Sequence, residues 1–190
     1  MKTTLQFTLL LFLIVSCHHI TVSKEEKAAV KLEVENILSK ADQQAYLEYL
    51  FNEDQRLRQG QSADLTIKYG FSSKEHKEFI RKQQKLDVIN FMRVEAYLEK
   101  FGYPKKDDFS TLANTAIWAV VEHSISYKSM KRVFPILYKA YQEGDMEASG
   151  LEWLLQSMHE LKYGNKADRD SSQPYRAEEE IERLINKLKL

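Results

Sequence analysis

Apolar residues recur three and four positions apart over most of this chain, and the recurrence breaks at a few polar, glycine- or proline-bearing points. Ser23-Lys24-Glu25-Glu26 is a capping-box pattern that opens a first helix on Val30, Val34, Ile37, Leu38 and Ala41. A second run carries Ala45, Leu47, Leu50, Phe51, Asp54 and Leu57, after a break near Ser39 and Asp42. Residues 59–73, with Gly60, Ser62, Gly70, Ser72 and Ser73, read as a loop. Ser72-Ser73-Lys74-Glu75 opens a long third helix on Phe79, Ile80, Leu86, Ile89, Met92, Ala96 and Phe101, stopped by Gly102 and Pro104.

Residues 107–110 cap a fourth helix holding Leu112, Ala113, Ala116, Ile117, Val120 and Val121. This is the most apolar part of the chain after its first residues, and so the expected centre of the fold. A fifth helix over about 126–143 contains Pro135, and a proline inside a helix costs about 3 kcal/mol, so a kink or a short helix pair is expected. Gly144-Asp145 joins it tightly to a helix with Leu151, Leu154, Leu155 and Met158 facing back. Past a polar stretch, Pro174 begins a last helix on Ile181, Leu184, Ile185 and Leu188. No segment alternates as a strand does. The expectation is an all-α single compact domain of six or seven helices, a bundle of αα-hairpins with no sheet.

The first residues follow a different logic. Lys2 precedes an apolar run that is unbroken over residues 9–15, far short of the roughly 20 residues that span a bilayer. Ile14-Val15-Ser16-Cys17 resembles the bacterial lipobox, in which the cysteine is lipidated and becomes the new amino terminus. Cys17 is the chain's one cysteine, so no intramolecular disulfide can form. The expected organisation is a signal peptide over 1–16, a lipidated Cys17 and tether over 17–23, and a helical domain over 24–164. A polar linker over 165–173 and a C-terminal helix over 174–190, packed on the domain, complete it. His18 is not acidic, which by the same resemblance favours the outer membrane. The alternative is cleavage near Ser23, which would release a soluble secreted or periplasmic protein. The His18-His19 pair reads as spacer, not as a metal site.

Composition narrows the function classes. The chain has 190 residues, with 28 Lys and Arg against 28 Asp and Glu. That balance gives no charge-based case for nucleic acid. Three prolines and six glycines favour helix. No Walker A loop, HExxH, CxxC, GxSxG or Rossmann fingerprint occurs, so neither a metal nor a cofactor is expected.

The candidate chemistry is a set of polar residues inside helical segments. Asp54 and Arg58 stand one turn apart on one face, as do Asp87 and Asn90. His123 lies at the edge of the apolar stripe of the fourth helix. Each alone reads more simply as a surface ion pair, a solvated face or a satisfied half-buried histidine. Asp54 falls within its own helix's apolar run, so it should be paired, and together with Arg58, Asp87 and His123 it is expected to share one cleft. Trp118, Trp153 and the tyrosines are read as core and rim.

The order Asp54-Gln55-x-x-Arg58, Asp87-x-x-Asn90, Gly102-Tyr103-Pro104, Val120-Val121-Glu122-His123 and the Gly144-Asp145 hairpin resembles a bacterial domain-of-unknown-function family of small helical, often lipid-anchored proteins. The resemblance covers about residues 40–165. It implies one helical domain and a candidate site but no activity. The chain departs from the family pattern in three places. Tyr103 stands where tryptophan is usual, Gln156-Ser157 lies near the place of an Asp-Arg pair, and only Tyr163-Gly164 remains of a closing Gln-x-Tyr-Gly signature.

The expected function is a non-enzymatic binding or interaction module of the bacterial envelope. Its expected partners are the membrane, through the lipid, and an envelope protein or small ligand held at Asp54, Arg58, Asp87, Asn90 and His123. The alternative is a hydrolase-like enzyme using His123 as general base, with Asp54 and Asp87 beside it.

Overall fold

In the computed structural model, residues 20–168 and 175–190 are described. The signal segment, Cys17, the His18-His19 pair and Pro174 lie outside the described residues. Within them the chain is all helical and forms one compact domain. The helices are α1 (Lys24–Glu35), α2 (Lys40–Arg56), α3 (Gln61–Tyr69), α4 (Lys74–Phe101), α5 (Thr111–Glu122), α6 (Tyr127–Gln142), α7 (Ala148–Tyr163) and α8 (Ala177–Leu188), with a 3-10 turn at Lys106–Asp108 before α5.

Serines set most of the starts. Ser23 and Glu26 form a reciprocal capping box at α1, and Ser39 with Asp42 forms another at α2. Ser73, Ser110 and Ser126 each accept a hydrogen bond from the backbone N–H three residues on, at α4, α5 and α6. Gly102 ends α4 at φ +74°, and Gly144 turns the chain from α6 to α7 at φ +82°, a region in which residues with a Cβ are strained.

Seven helices stand near where the apolar spacing places them, but α1 ends at Glu35, so Ile37 and the exposed Leu38 lie past it and Ala41 falls in α2 behind its Ser39 cap. The stretch read as a loop is occupied by α3. Gly60 and Gly70 bracket it, both at positive φ, and it buries no side chain. Part of its support is local, since Asp64 in the first turn and Lys68 in the last suit the helix dipole and Thr66 Oγ1 donates to Ser62 O at 2.8 Å. The rest comes from α4, where the buried His76 places Nε2 3.2 Å from Ser62 Oγ. A turn-rich composition with no apolar stripe hides such a helix.

Pro135 does not divide α6 into a helix pair. The helix runs through it unbroken because Pro135 is exposed, so the carbonyl deprived of its N–H partner can be hydrated.

The core is built on α5, where Ala113, Ala116, Ile117, Val120 and Val121 are almost fully buried. α2, α4 and α7 pack against it with Leu47, Leu50, Val94, Tyr97, Leu151 and Leu155. α1 lies along α4. Lys100 Nζ of α4 donates to the Val34, Glu35 and Ile37 carbonyls at 2.9–3.1 Å, closing the end of a helix with no basic residue in its own last turn. α8 docks on α7 through Ile181, Leu184 and Leu188, each 1% exposed or less.

The start of the polar linker is tied down by α7. His159 Nδ1 bonds Asn165 O at 2.7 Å, the Gln156 carbonyl accepts from Ala167 N at 3.0 Å, and the Gln156 amide donates to Glu180 of α8 at 3.2 Å. A side chain that both donates and accepts joins three segments here.

Candidate functional site

The last turn of α2 carries Asp54 inward, at 1% exposure. A buried carboxylate is costly unless it is paired and hydrogen-bonded, and Asp54 accepts from four donors. Arg58 Nε approaches Oδ2 at 3.3 Å and Arg58 Nη2 approaches Oδ1 at 3.2 Å. Gln55 Nε2 donates to Oδ2 at 2.9 Å, and His123 Nδ1 lies 3.2 Å from Oδ1 and 3.1 Å from Oδ2.

Arg58 stands just past α2, where its N–H donates to Gln55 O at 2.9 Å and the chain turns toward Gly60. Its guanidinium spans two helices. Nη2 also reaches Asp87 Oδ1 of α4 at 2.5 Å. His123 caps the C-terminus of α5. The network therefore joins the ends of α2 and α5 to the middle of α4, and it brings Asp54, Arg58, Asp87 and His123 together.

Asn90 does not join them. Fully buried, it accepts at Oδ1 from Arg93 Nη1 at 3.1 Å, and Arg93 forks onto Glu33 of α1 at 2.8 and 2.9 Å. Its place is a second polar cluster, which ties α1 to α4. One turn of helix puts Asp87 and Asn90 on the same side but gives them different partners.

The two carboxylates of the first cluster are displaced in opposite directions. Burial pushes Asp54 up, but the hydrogen bonds from His123 and Arg58, with their charges, outweigh it and hold the group below its ordinary value. Burial pushes Asp87 up and Asp54's charge adds to this; Arg58 pulls back without prevailing. One guanidinium serves two acids, and Asp54 takes the larger share of its hydrogen bonds. Glu122, next to His123, is also raised by burial, with His123 and Arg58 opposing and Asp54 reinforcing.

One pocket includes a member of this cluster, and a second one reaches only its neighbour Glu122. Asp87 forms part of a pocket of about 270 Å³ bordered by Phe91, Met92, Ser124, Ser126 and, from the segment before α1, Ile20 and Val22. A larger pocket, of about 850 Å³, has Glu122 in its lining. Its floor is the outer stripe of α5: Thr111, Asn114, Thr115, Trp118 and Glu122, spaced as one helix face and turned away from the buried alanines. Trp153 and Gly150 of α7 form one wall, and Tyr103 and Phe109 of the α4–α5 connection form the other.

Gly150 is small for a reason. A Cβ there would meet Trp118 Cδ1 at 3.1 Å and Met146 Cε at 3.3 Å. Tyr103 is pushed up to about 12 by burial, with Asp145's charge adding. Sequence reading assigned the two tryptophans to core and rim and missed this pocket. The available signal was Trp153, which falls off the Leu151, Leu154, Leu155 and Met158 stripe and is 45% exposed.

Among the described residues no group of three or more His, Cys, Asp or Glu side chains is arranged to hold a metal ion. No helix there is long and apolar enough to cross a membrane. Comparison of the chain with family models, curated proteins and solved structures finds no match.

Proposed function

We propose that this chain is an exported protein, lipid-anchored at Cys17 in the cell envelope on the outer membrane, whose helical domain is a non-enzymatic binding module. Its ligand occupies the pocket between α5 and α7. The lipobox resemblance at residues 14–17 and the short apolar run before it support the address. The motif order from Asp54 to Asp145 supports kinship with small helical, lipid-anchored proteins.

The observation that carries the binding reading is the α5–α7 pocket. Its volume of about 850 Å³ falls in the roughly 300–1,000 Å³ range of small-molecule sites, and it combines aromatic walls with several charged and polar side chains. The Asp54 cluster, by contrast, has its acceptor capacity filled from within: one carboxylate takes Arg58, Gln55 and His123. In this reading it fastens three helices together, and none of its four residues lines the pocket.

One observation favours a second reading. A carboxylate on Nδ1 is how a histidine base is oriented, leaving Nε2 for chemistry. This supports a hydrolase-like site with His123 as general base, Asp54 as its positioning group and Asp87 nearby.

Trp118 and Trp153 are the chain's two tryptophans and both line the pocket, so intrinsic emission reports on it directly. The test titrates the protein with amines, carboxylates, saccharides and short peptides, and assays ester and amide turnover in parallel. The expected result is a saturable emission change from at least one class, with the ligand recovered unchanged. Silence from every class, with turnover that disappears in His123→Ala, would replace this reading by the second.

A further inference from the structure

The α5–α7 pocket has a charge and hydrogen-bond pattern that selects among ligands. Four carboxylates line it, Asp107, Glu122, Asp145 and Glu147, and among the described lining residues Lys106 is the one cation. That cation is already engaged. Lys106 Nζ is on Glu147 Oε1 at 2.5 Å, and Asp145 Oδ1 accepts the Lys106 backbone N–H at 2.9 Å. The rim is left with an excess of negative charge facing aromatic rings.

Aromatic faces attract cations through their quadrupole, and two rings of this pocket already receive one. Lys166 Nζ lies 4.9 Å from the Trp153 ring centroid, and Lys40 Nζ lies 5.5 Å from that of Phe109. Both rings belong to the walls.

Two buried polar atoms of the lining are unsatisfied. Asn114 spends its Nδ2 on the Lys106 and Phe109 carbonyls at 2.9 and 3.3 Å, and its Oδ1 is buried with no partner among the described residues. Trp118 Nε1 is buried without a partner in the same way. An orphaned acceptor calls for an N–H donor and an orphaned indole for an acceptor, since a buried polar group left unpaired costs about 1–3 kcal/mol.

We infer that the α5–α7 pocket takes an organic cation: an ammonium or guanidinium group carried on an apolar body, which lies between Trp118 and Trp153 with its charge toward Glu122 and Asp145. The body fills the aromatic volume and the cationic N–H groups meet the Glu122 and Asp145 carboxylates. Asn114 Oδ1 and Trp118 Nε1, both buried in the free protein, join in only where their side chains turn toward the ligand. The same chemistry is offered by a free alkylamine and by a lysine or arginine side chain of a peptide. This inference rests on the binding-module reading and adds the class of ligand to it.

The test is a fluorescence titration of the full chain with n-hexylammonium, hexan-1-ol, hexanoate, cellobiose and the peptide acetyl-Leu-Arg-Leu-amide. Saturable emission change is expected from hexylammonium, from the peptide or from both, with hexanol roughly tenfold weaker and hexanoate weaker still. Tighter binding of the peptide assigns the cation to a basic side chain, and tighter binding of the amine assigns it to a free small molecule. Glu122→Gln and Asp145→Asn should each weaken the cation roughly fivefold or more, while leaving hexanol unchanged. Gly150→Ala, which suits a helix interior but presses on Trp118, should weaken every probe.

Equal affinity for hexanol and hexylammonium, or a preference for cellobiose, would overturn the cation inference and leave the binding module standing. So would cation binding unaffected by both carboxamide variants. No saturable response from any probe would overturn the inference and count against the binding module as well.

Discussion

His123 and Asp54 are 69 residues apart in the chain, yet the imidazole Nδ1 lies 3.2 Å from the carboxylate Oδ1. The contact ties the C-cap of α5 to the last turn of α2, and Arg58 extends the same network to Asp87 in α4. Asp54 is 1% exposed, so its charge is stabilised by these donors rather than by water.

Removing that carboxylate leaves Arg58 half satisfied and His123 without its acceptor. Breaking one partner out of a buried ion pair costs about 3 kcal/mol or more. For a chain of this length that corresponds to a drop of roughly 6–12 °C in Tm. Asp54→Ala should show this loss in thermal and urea unfolding; a melt within a degree of the wild type would show that the network carries no load.

The pH dependence separates the two acids. The folded-state value of Asp54 lies below the ordinary 3.8, so the unfolded chain takes up that proton first as pH falls. Its contribution to stability is present above 3.8 and is lost on the way down through the lower folded value. The folded-state value of Asp87 lies above 3.8, so its contribution is full below 3.8 and is lost as pH rises through the folded value. Asp54→Asn should therefore flatten the stability profile below about pH 4, and Asp87→Asn should steepen the rise above it. Urea unfolding at a series of pH values checks both, and a change in the same direction for the two variants would contradict the assignment.

Much of the architecture was legible because it is local. Ser23 with Glu26, the stop at Gly102, the Gly144 turn and the α8 stripe all act over a few residues, and each stands where its spacing predicts. Asp54 and Arg58 were legible as a pair one turn apart, and a carboxylate inside an apolar run needed a partner. What spacing could not supply was contact between elements. The Lys100 cap on α1, Arg93 bonding both Asn90 and Glu33, and the pocket that Trp118 and Trp153 both line all depend on how helices pack. α3 was hidden for the opposite reason: it buries nothing, so no apolar stripe marks it.

The anchor has its own test. Cys17 is the chain's one cysteine, and no described helix is long and apolar enough to cross a membrane. A diacylated cysteine gives stable attachment where a single chain gives marginal binding. Cys17→Ala should move the protein from the membrane fraction to soluble or unprocessed forms. Unchanged partitioning on fractionation of the variant would remove the lipid anchor from the account.

The claim that the Asp54 cluster fastens the helices together, and is not a reacting centre, is tested most directly by the unfolding free energy of His123→Ala. Loss of a hydrogen bond to a buried charge should lower it by about 1.5–3 kcal/mol, since Asp54 then keeps Arg58 and Gln55 but loses its link to α5. A variant with wild-type stability and an intact fold would contradict the account and return His123 to the role of a general base.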